Sequence, residues 1–174
     1  AALAVEVGHQ LIEDVLLILG GDVGVVADKT SDYLSVEVKD TELCPRYIAH
    51  LVKDVRIEKS PKWSALRLAL CGLNSGNNIV DITNYVLLEM GQPMHAFDKR
   101  RVDKIEVQRF PEEFKFTTLD EVERSIDPSM LMITSGDKPV AIAGVMGGDA
   151  SKIEDDTTSL LLESATFDGV SVRK

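Results

Sequence analysis

Residues 77–98 leave the chain the fewest choices of fold. Asn78 can act as a helix N-cap, with Asp81 three residues on in a relative of the capping box. Ile79, Ile82, Val86 and Met90 recur at helical spacing and predict one apolar face. Gly91 suits the left-handed position just past a helix end, and Pro93 stops the helix from resuming. The turn then delivers His95 among Met94, Ala96 and Phe97. A polar side chain brought by a rigid turn into apolar surroundings fits the wall of a small-molecule pocket. On the residues alone, a core histidine with one satisfied nitrogen is the reading they favour over a pocket residue.

Around that stretch the pattern is mixed. Residues 3–19 predict a helix, with Leu11, Val15 and Leu19 at four-residue spacing and Gly20-Gly21 as its stop. Residues 24–31 read as a short strand and turn, 34–38 as a strand alternating Leu34, Val36 and Val38, and 44–57 as one long strand. Ser60-Pro61 opens a second helix whose buried stripe is predicted to be Trp63, Leu66 and Leu70. Residues 99–104 read as a solvated loop. Strands follow at 105–110, with Ile105 and Val107 on one face, and at 114–119 and 130–134. Residues 139–146 are almost continuously apolar, as in a strand buried on both faces. An acidic loop at 149–158 precedes a last strand at 159–165. In that strand Leu160 and Leu162 share one face, and Leu161, Glu163 and Ala165 the other. A few packed helices with many strands in mixed sheets, not strictly alternating, predict an α+β fold.

Charge and spacing remove several functions. The 174 residues carry a formal net charge of −10, the wrong sign for a free-standing nucleic-acid binder. They do not exclude a module whose RNA is held mainly by other domains. No apolar run is long enough to span a bilayer, and no membrane partner is expected. Val15 to Gly21 is short and preceded by Glu13 and Asp14, unlike a signal peptide. Cys44 and Cys71 lack metal spacing and read as two free thiols of a cytosolic protein. The first residue is Ala1 rather than Met, and a segment of a longer polypeptide is expected. There is no Walker loop, zinc spacing, nucleophile elbow or dinucleotide fingerprint.

Three groups remain that could carry chemistry. His95 could position a water or a substrate carbonyl. The run Ala143-Gly144-Val145-Met146-Gly147-Gly148 could let backbone approach a ligand and present N–H groups, or could be a strand end needing positive φ. Glu163 follows three leucines, where a carboxylate is costly unless paired. It could read a substrate hydroxyl, or serve an arginine or backbone N–H groups. Glu154-Asp155-Asp156 reads as a solvated turn, and no metal site is expected.

Read together, these stretches resemble the editing region, the B3/B4 domain, of the bacterial phenylalanyl-tRNA synthetase β subunit. The resemblance rests on Asn77-Asn78 with the following Ile-Val-Asp-Ile-Thr-Asn-Tyr-Val, on Gly91-Gln92-Pro93-Met94-His95-Ala96-Phe97-Asp98, and on Thr118-Leu119-Asp120. It rests further on the glycine-rich run at 143–148 and on Leu162-Glu163-Ser164-Ala165 followed by Phe167. It reaches from about Tyr47 to the end and implies a main domain at 39–174, after an N-terminal helix and connecting strand at 1–38. It also implies the family's role, hydrolysis of tyrosine wrongly attached to phenylalanine tRNA. The alternative is a non-catalytic, RNA-contacting scaffold domain of the same β subunit, packed against the α subunit and tRNA.

By position in the family motif, Glu163 would accept the tyrosine hydroxyl. Asn84, Pro93, Ala143, Gly144 and Ala165 would line the pocket, and His95 would position the water. No cofactor is implied for this domain, and ATP and magnesium would serve the full synthetase. The implied partners are tRNA(Phe), an α subunit in an α2β2 assembly, and tyrosine as editing ligand, in the cytoplasm. Two positions depart from the family pattern. Asn74-Ser75 stands where members often carry Arg-Pro or Arg-Ser, and Glu121 where a glycine is usual.

Overall fold

The computed structural model describes residues 29–173. The chain divides into two compact units, the first of Ala1–Lys29 and Ile57–Met94, the second of Thr30–Arg56 and His95–Lys174. The helix expected at 3–19, and most of the strand and turn expected at 24–31, lie outside the described residues.

The described part of the first unit is a helix pair, α1 (Lys62–Leu70) and α2 (Asn78–Met90). In α2 the cap is Asn77, one residue earlier than the sequence suggests. Asn77 is extended, and its side chain accepts from the N–H groups of Ile79 and Val80 at 3.1 and 3.0 Å. Asn78 instead ties the helix start to Glu58, donating its N–H to the Glu58 carbonyl at 2.8 Å and accepting the Glu58 N–H at 3.1 Å. Asp81 is not a reciprocal cap. It is buried and accepts from the Ser75 hydroxyl and, at 2.9 Å, from the Gly76 N–H. It thereby folds the preceding loop onto the helix. Ile79, Ile82 and Val86 form the buried face, while Met90, at the last turn, is exposed. Gly91 takes φ of 70° and returns its N–H to the Leu87 carbonyl, as the left-handed C-cap requires.

Helix α1 is turned relative to expectation. Pro61 occupies the cap position, and Ser64 and Leu68 face inward. Leu66 and Leu70 are 61% and 79% exposed, and Trp63 is also exposed. The four-residue spacing of 64 and 68 sets the inward face, about 150° from the expected stripe. Trp63 instead meets the Tyr85 ring edge-on at 5.6 Å, and Arg67 donates to the Tyr85 hydroxyl at 2.6 Å.

The second unit is built from sheets. A five-stranded mixed sheet runs β1 (Val36–Val38), β4 (Ile105–Gln108), β7 (Met132–Ser135), β8 (Lys138–Ile142), β9 (Met146–Gly147). Only β1 and β4 pair in parallel; the other neighbours are antiparallel. A three-stranded sheet has the order β2 (Arg46–Lys53), β10 (Ser159–Thr166), β3 (Met94–Asp98), and β5 (Phe114–Thr117) pairs with β6 (Glu123–Ile126). A short helix, α3 (Gly169–Val172), ends the described chain. Phe97, Ile105, Val107, Ile133, Ala141 and Leu161 share the main core.

Several sequence expectations shorten or split. The strand expected at 44–57 spans only Arg46–Lys53. The apolar run at 139–146 is two strands, because Gly144 at φ 69° turns the chain so that Ile142 faces Met146 across the hairpin. Strand β6 went unanticipated, since Glu123, Arg124 and Ser125 carry no apolar alternation. Residues 99–104 are not a free loop. Val102 is fully buried, and Arg100 clamps the buried Asp98 at 2.6 Å and Asp156 at 2.7 Å. Burial pushes the Asp98 carboxyl up, but hydrogen bonds from Arg100 and Thr157 outweigh it and hold Asp98 below its ordinary range.

Candidate active site

Strands β2 and β10 pair antiparallel over eight positions, with Glu163 opposite Ala49 and Ala165 opposite Tyr47. Opposed residues of an antiparallel pair point to the same face, so Tyr47, Ala49, Leu51, Leu161, Glu163 and Ala165 share one side. Phe97 of β3 packs into the core with Leu161, Tyr47 and Ala49. His95, two residues from Phe97 on the same strand, therefore faces that side too, and its ring meets Phe97 edge-on at 4.4 Å. The sheet thus gathers His95, Glu163 and Ala165 on one face.

Glu163 is 6% exposed, yet its partner is no arginine. The Tyr47 hydroxyl donates to Glu163 Oε2 at 3.1 Å. The register explains the contact. Tyr47 stands opposite Ala165, one pair along, and an aromatic side chain can reach the diagonal neighbour. The small side chains of Ala49 and Ala165 leave room for that reach. Among the described residues Tyr47 is the one side-chain hydrogen-bond partner of Glu163, and it engages Oε2. Burial pushes the Glu163 carboxyl up to about 7, although the Tyr47 hydrogen bond pulls the other way. Burial, followed by the charge and hydrogen bond of Glu163, holds the Tyr47 phenol protonated well above its ordinary range. Tyr47 is therefore a donor at any working pH.

His95 is sealed on one edge. Its Nε2 is buried without a partner among the described residues. A methyl group built on Gly147 would lie 2.4 Å from the imidazole Cε1 and 2.5 Å from Nε2. The absent side chain at Gly147 is the space the ring fills. Burial lowers the imidazole to about 4, so the ring is neutral near pH 7.

Three amides of the glycine-rich run serve the local fold. The N–H of Ala143 goes to the Leu131 carbonyl at 2.9 Å, that of Val145 to Ile142 at 3.1 Å, and that of Gly148 to Val140 at 2.7 Å. Ala143 is buried in the main core, whereas Gly144 lies in the exposed turn, against Phe167 and Val172. Asn84 lies on α2 and Pro93 in the turn after it, both in the first unit. Cys44 is buried, and burial pushes its thiol up to about 11, so it supplies no thiolate nucleophile. Among the described residues no group of three His, Cys, Asp or Glu is placed to hold a metal. A cavity of about 200 Å³ lies against Ala143, Ile126, Ile142 and Phe167, apart from His95 and Glu163. Two of its polar groups are already engaged, Arg124 by Asp120 and Asp168 by the Ser171 N–H, and its volume is small for a ligand pocket.

Tyr47 carries no site signal in the sequence and is legible only once the 163–49 register is known. Gly147 belongs to the glycine-rich run already singled out, but its place against His95 shows only in the structure.

A family model described as the B3/4 domain matches residues 43–174. The chain belongs to the B3/4 domain family. This B3/4 domain is 54% identical over 142 residues to the phenylalanine–tRNA ligase beta subunit of Clostridium acetobutylicum, covering 80% of the chain and 18% of that relative. It is 51% identical over 144 residues to the subunit of the same name from Clostridium tetani, covering 82% and 18%. With that of Halalkalibacterium halodurans it shares 49% over 148 residues, covering 84% and 18%. The chain therefore spans less than a fifth of the length of these curated relatives. A crystal structure of an N-terminal fragment of the phenylalanyl-tRNA synthetase beta subunit from Pyrococcus horikoshii superposes with a TM-score of 0.57 at 11% identity, over 80% of this chain and 45% of that one. That likeness concerns the fold, an α+β arrangement of helices and several sheets.

Proposed function

We propose that this B3/4 domain hydrolyses tyrosine mischarged onto tRNA(Phe), as the editing part of a phenylalanine–tRNA ligase. The observation that carries the reading is the pairing of Tyr47 with Glu163. The carboxyl already accepts one phenolic hydroxyl at Oε2 and leaves Oε1 without a side-chain partner among the described residues. A synthetic pocket shaped for phenylalanine rejects an analogue that merely adds a hydroxyl by only about a hundredfold. A second site holding a buried acceptor reverses that preference. Tyrosine satisfies the acceptor, and phenylalanine leaves it unpaired at roughly 1–3 kcal/mol.

The chemistry asks for no side-chain nucleophile. An aminoacyl ester is an activated acyl group, so an oriented water and a polarised carbonyl suffice. His95 is neutral and sealed at Nε2, so its Nδ1 edge is the one to hold that water. The Gly144 N–H, left over after its neighbours are spent on the fold, is a donor for the ester carbonyl. Ala165, on the same face of β10 as Glu163, lines the substrate. In this reading the wider protein uses ATP and magnesium for aminoacylation, assembles with an α subunit, binds tRNA(Phe) and works in the cytoplasm.

The test is deacylation of Tyr-tRNA(Phe) by the full-length protein with its partner subunit. The wild type is expected to clear the ester, and Glu163→Ala to lose most of its preference for Tyr-tRNA over Phe-tRNA. Equal clearance by both sinks the Glu163 assignment. No clearance by a folded wild type favours a scaffold.

A further inference from the structure

We infer that Tyr47 is the positioning residue of this acceptor, fixing the Glu163 carboxyl through Oε2 so that Oε1 alone meets the ligand's para-hydroxyl. The inference rests on the editing reading of the site and adds to it a residue that sets selectivity without touching the reacting ester.

A carboxylate offers about four lone-pair directions on two oxygens. Left to itself, a buried Glu163 could rotate and meet a hydroxyl with either oxygen, or bind a water instead. Tyr47 removes that freedom. Its ring packs into the core beside Ala49 and Phe97, and its hydroxyl holds Oε2 at 3.1 Å. The register places Tyr47 opposite Ala165, and the small Ala165 side chain gives the ring its diagonal path to Glu163. A bound tyrosine would then complete a pair of phenols on one carboxyl, one from the chain and one from the substrate. Phenylalanine would leave Oε1 dry and unpaired.

The hydrogen bond also tunes the carboxyl, because it opposes the upward push of burial. The other titratable groups near Glu163 are few. Cys44, ahead of β2, is a neutral thiol, and His95 on β3 is a neutral imidazole facing the same side of the sheet. Neither supplies a charge that could replace the Tyr47 hydroxyl.

The experiment compares wild type, Tyr47→Phe, Glu163→Gln and the double variant in the full-length protein with its partner subunit. It measures kcat and KM for Tyr-tRNA(Phe) and Phe-tRNA(Phe) across pH. Tyr47→Phe is expected to lower the tyrosine-over-phenylalanine preference about fivefold, the worth of one net hydrogen bond, mostly through KM. The limb of the pH profile that reports Glu163 is expected to move to higher pH. In the Glu163→Gln background, Tyr47→Phe is expected to add nothing. If Tyr47→Phe does not fold, Tyr47→His, which keeps a ring but displaces the donor, is expected to lose preference in the same direction. Unchanged preference and pH profile in Tyr47→Phe, or an undiminished Tyr47→Phe loss in the Glu163→Gln background, overturns the role of Tyr47 while leaving Glu163 as the reader. A Glu163→Gln variant that discriminates as well as wild type overturns the Glu163 assignment, and the role of Tyr47 with it, whereas a folded wild type that does not clear Tyr-tRNA(Phe) overturns the editing reading.

Discussion

His95 and Glu163 are buried titratable groups with opposite responses to acid. Glu163 rises from an ordinary 4.5 to about 7, so the folded state holds its proton more tightly than the unfolded state. Its contribution to stability is full below pH 4.5 and is lost as pH climbs through 7. His95 falls from 6.5 to about 4, so its contribution is full above 6.5 and is lost as pH drops towards 4. Each amounts to about 3 kcal/mol, and across the shared window they nearly cancel. Urea unfolding of the wild-type chain is therefore expected to vary little between pH 4.5 and 6.5. Glu163→Gln is expected to expose the histidine slope, with stability rising with pH. His95→Gln is expected to expose the carboxyl slope, falling with pH. A flat profile in both variants would contradict the burial of these two groups. Gly147 belongs to the same account. A methyl group there meets the imidazole below 2.6 Å, and the ring must move. Gly147→Ala is expected to cost about 1–3 kcal/mol of stability and to remove deacylation together. A stable, fully active variant would show that the ring has slack behind it.

The elements show how far the sequence could be read. Helix α2 was legible because cap, periodicity and stop agree, and the structure moves only the cap, from Asn78 to Asn77. The buried stripe of α1 was misread because Trp63, Leu66 and Leu70 are apolar yet exposed, and nothing in a lone helix says which apolar side meets a neighbour. The alternation in β10 was legible, and it placed Glu163 and Ala165 on one face. Their partners were not, since the pairing with Tyr47 and Ala49 joins strands more than a hundred residues apart, as the separation of 116 between Tyr47 and Glu163 shows. Glu121 gives a sharper case. It takes φ of 61°, left-handed backbone that a glycine adopts freely. Thr118, Asp120 and Arg124 lock the turn around it. Glu121→Gly is expected to stabilise the chain by about 1 kcal/mol, read as a raised Tm. An unchanged or lowered Tm would mean that the lock already absorbs the strain.

At the scale of the molecule, the second unit brings a water-positioning candidate and a hydroxyl-reading candidate to one sheet face, with no group of three His, Cys, Asp or Glu placed to hold a metal among the described residues. Three elements distant in sequence supply that face: β2, β3 and β10. The family motifs marked two of them, through His95 and Glu163, and chain topology supplied the third, through Tyr47. The account stands on Glu163 reading a phenolic hydroxyl through the oxygen that Tyr47 leaves open. The most direct measurement is a crystal structure of the full-length protein with L-tyrosine bound. The account predicts the tyrosine phenolic oxygen within about 3.2 Å of Glu163 Oε1, with the Tyr47 hydroxyl still on Oε2. Tyrosine seated with its hydroxyl away from Glu163, for instance in the cavity beside Ile126 and Phe167, would contradict it.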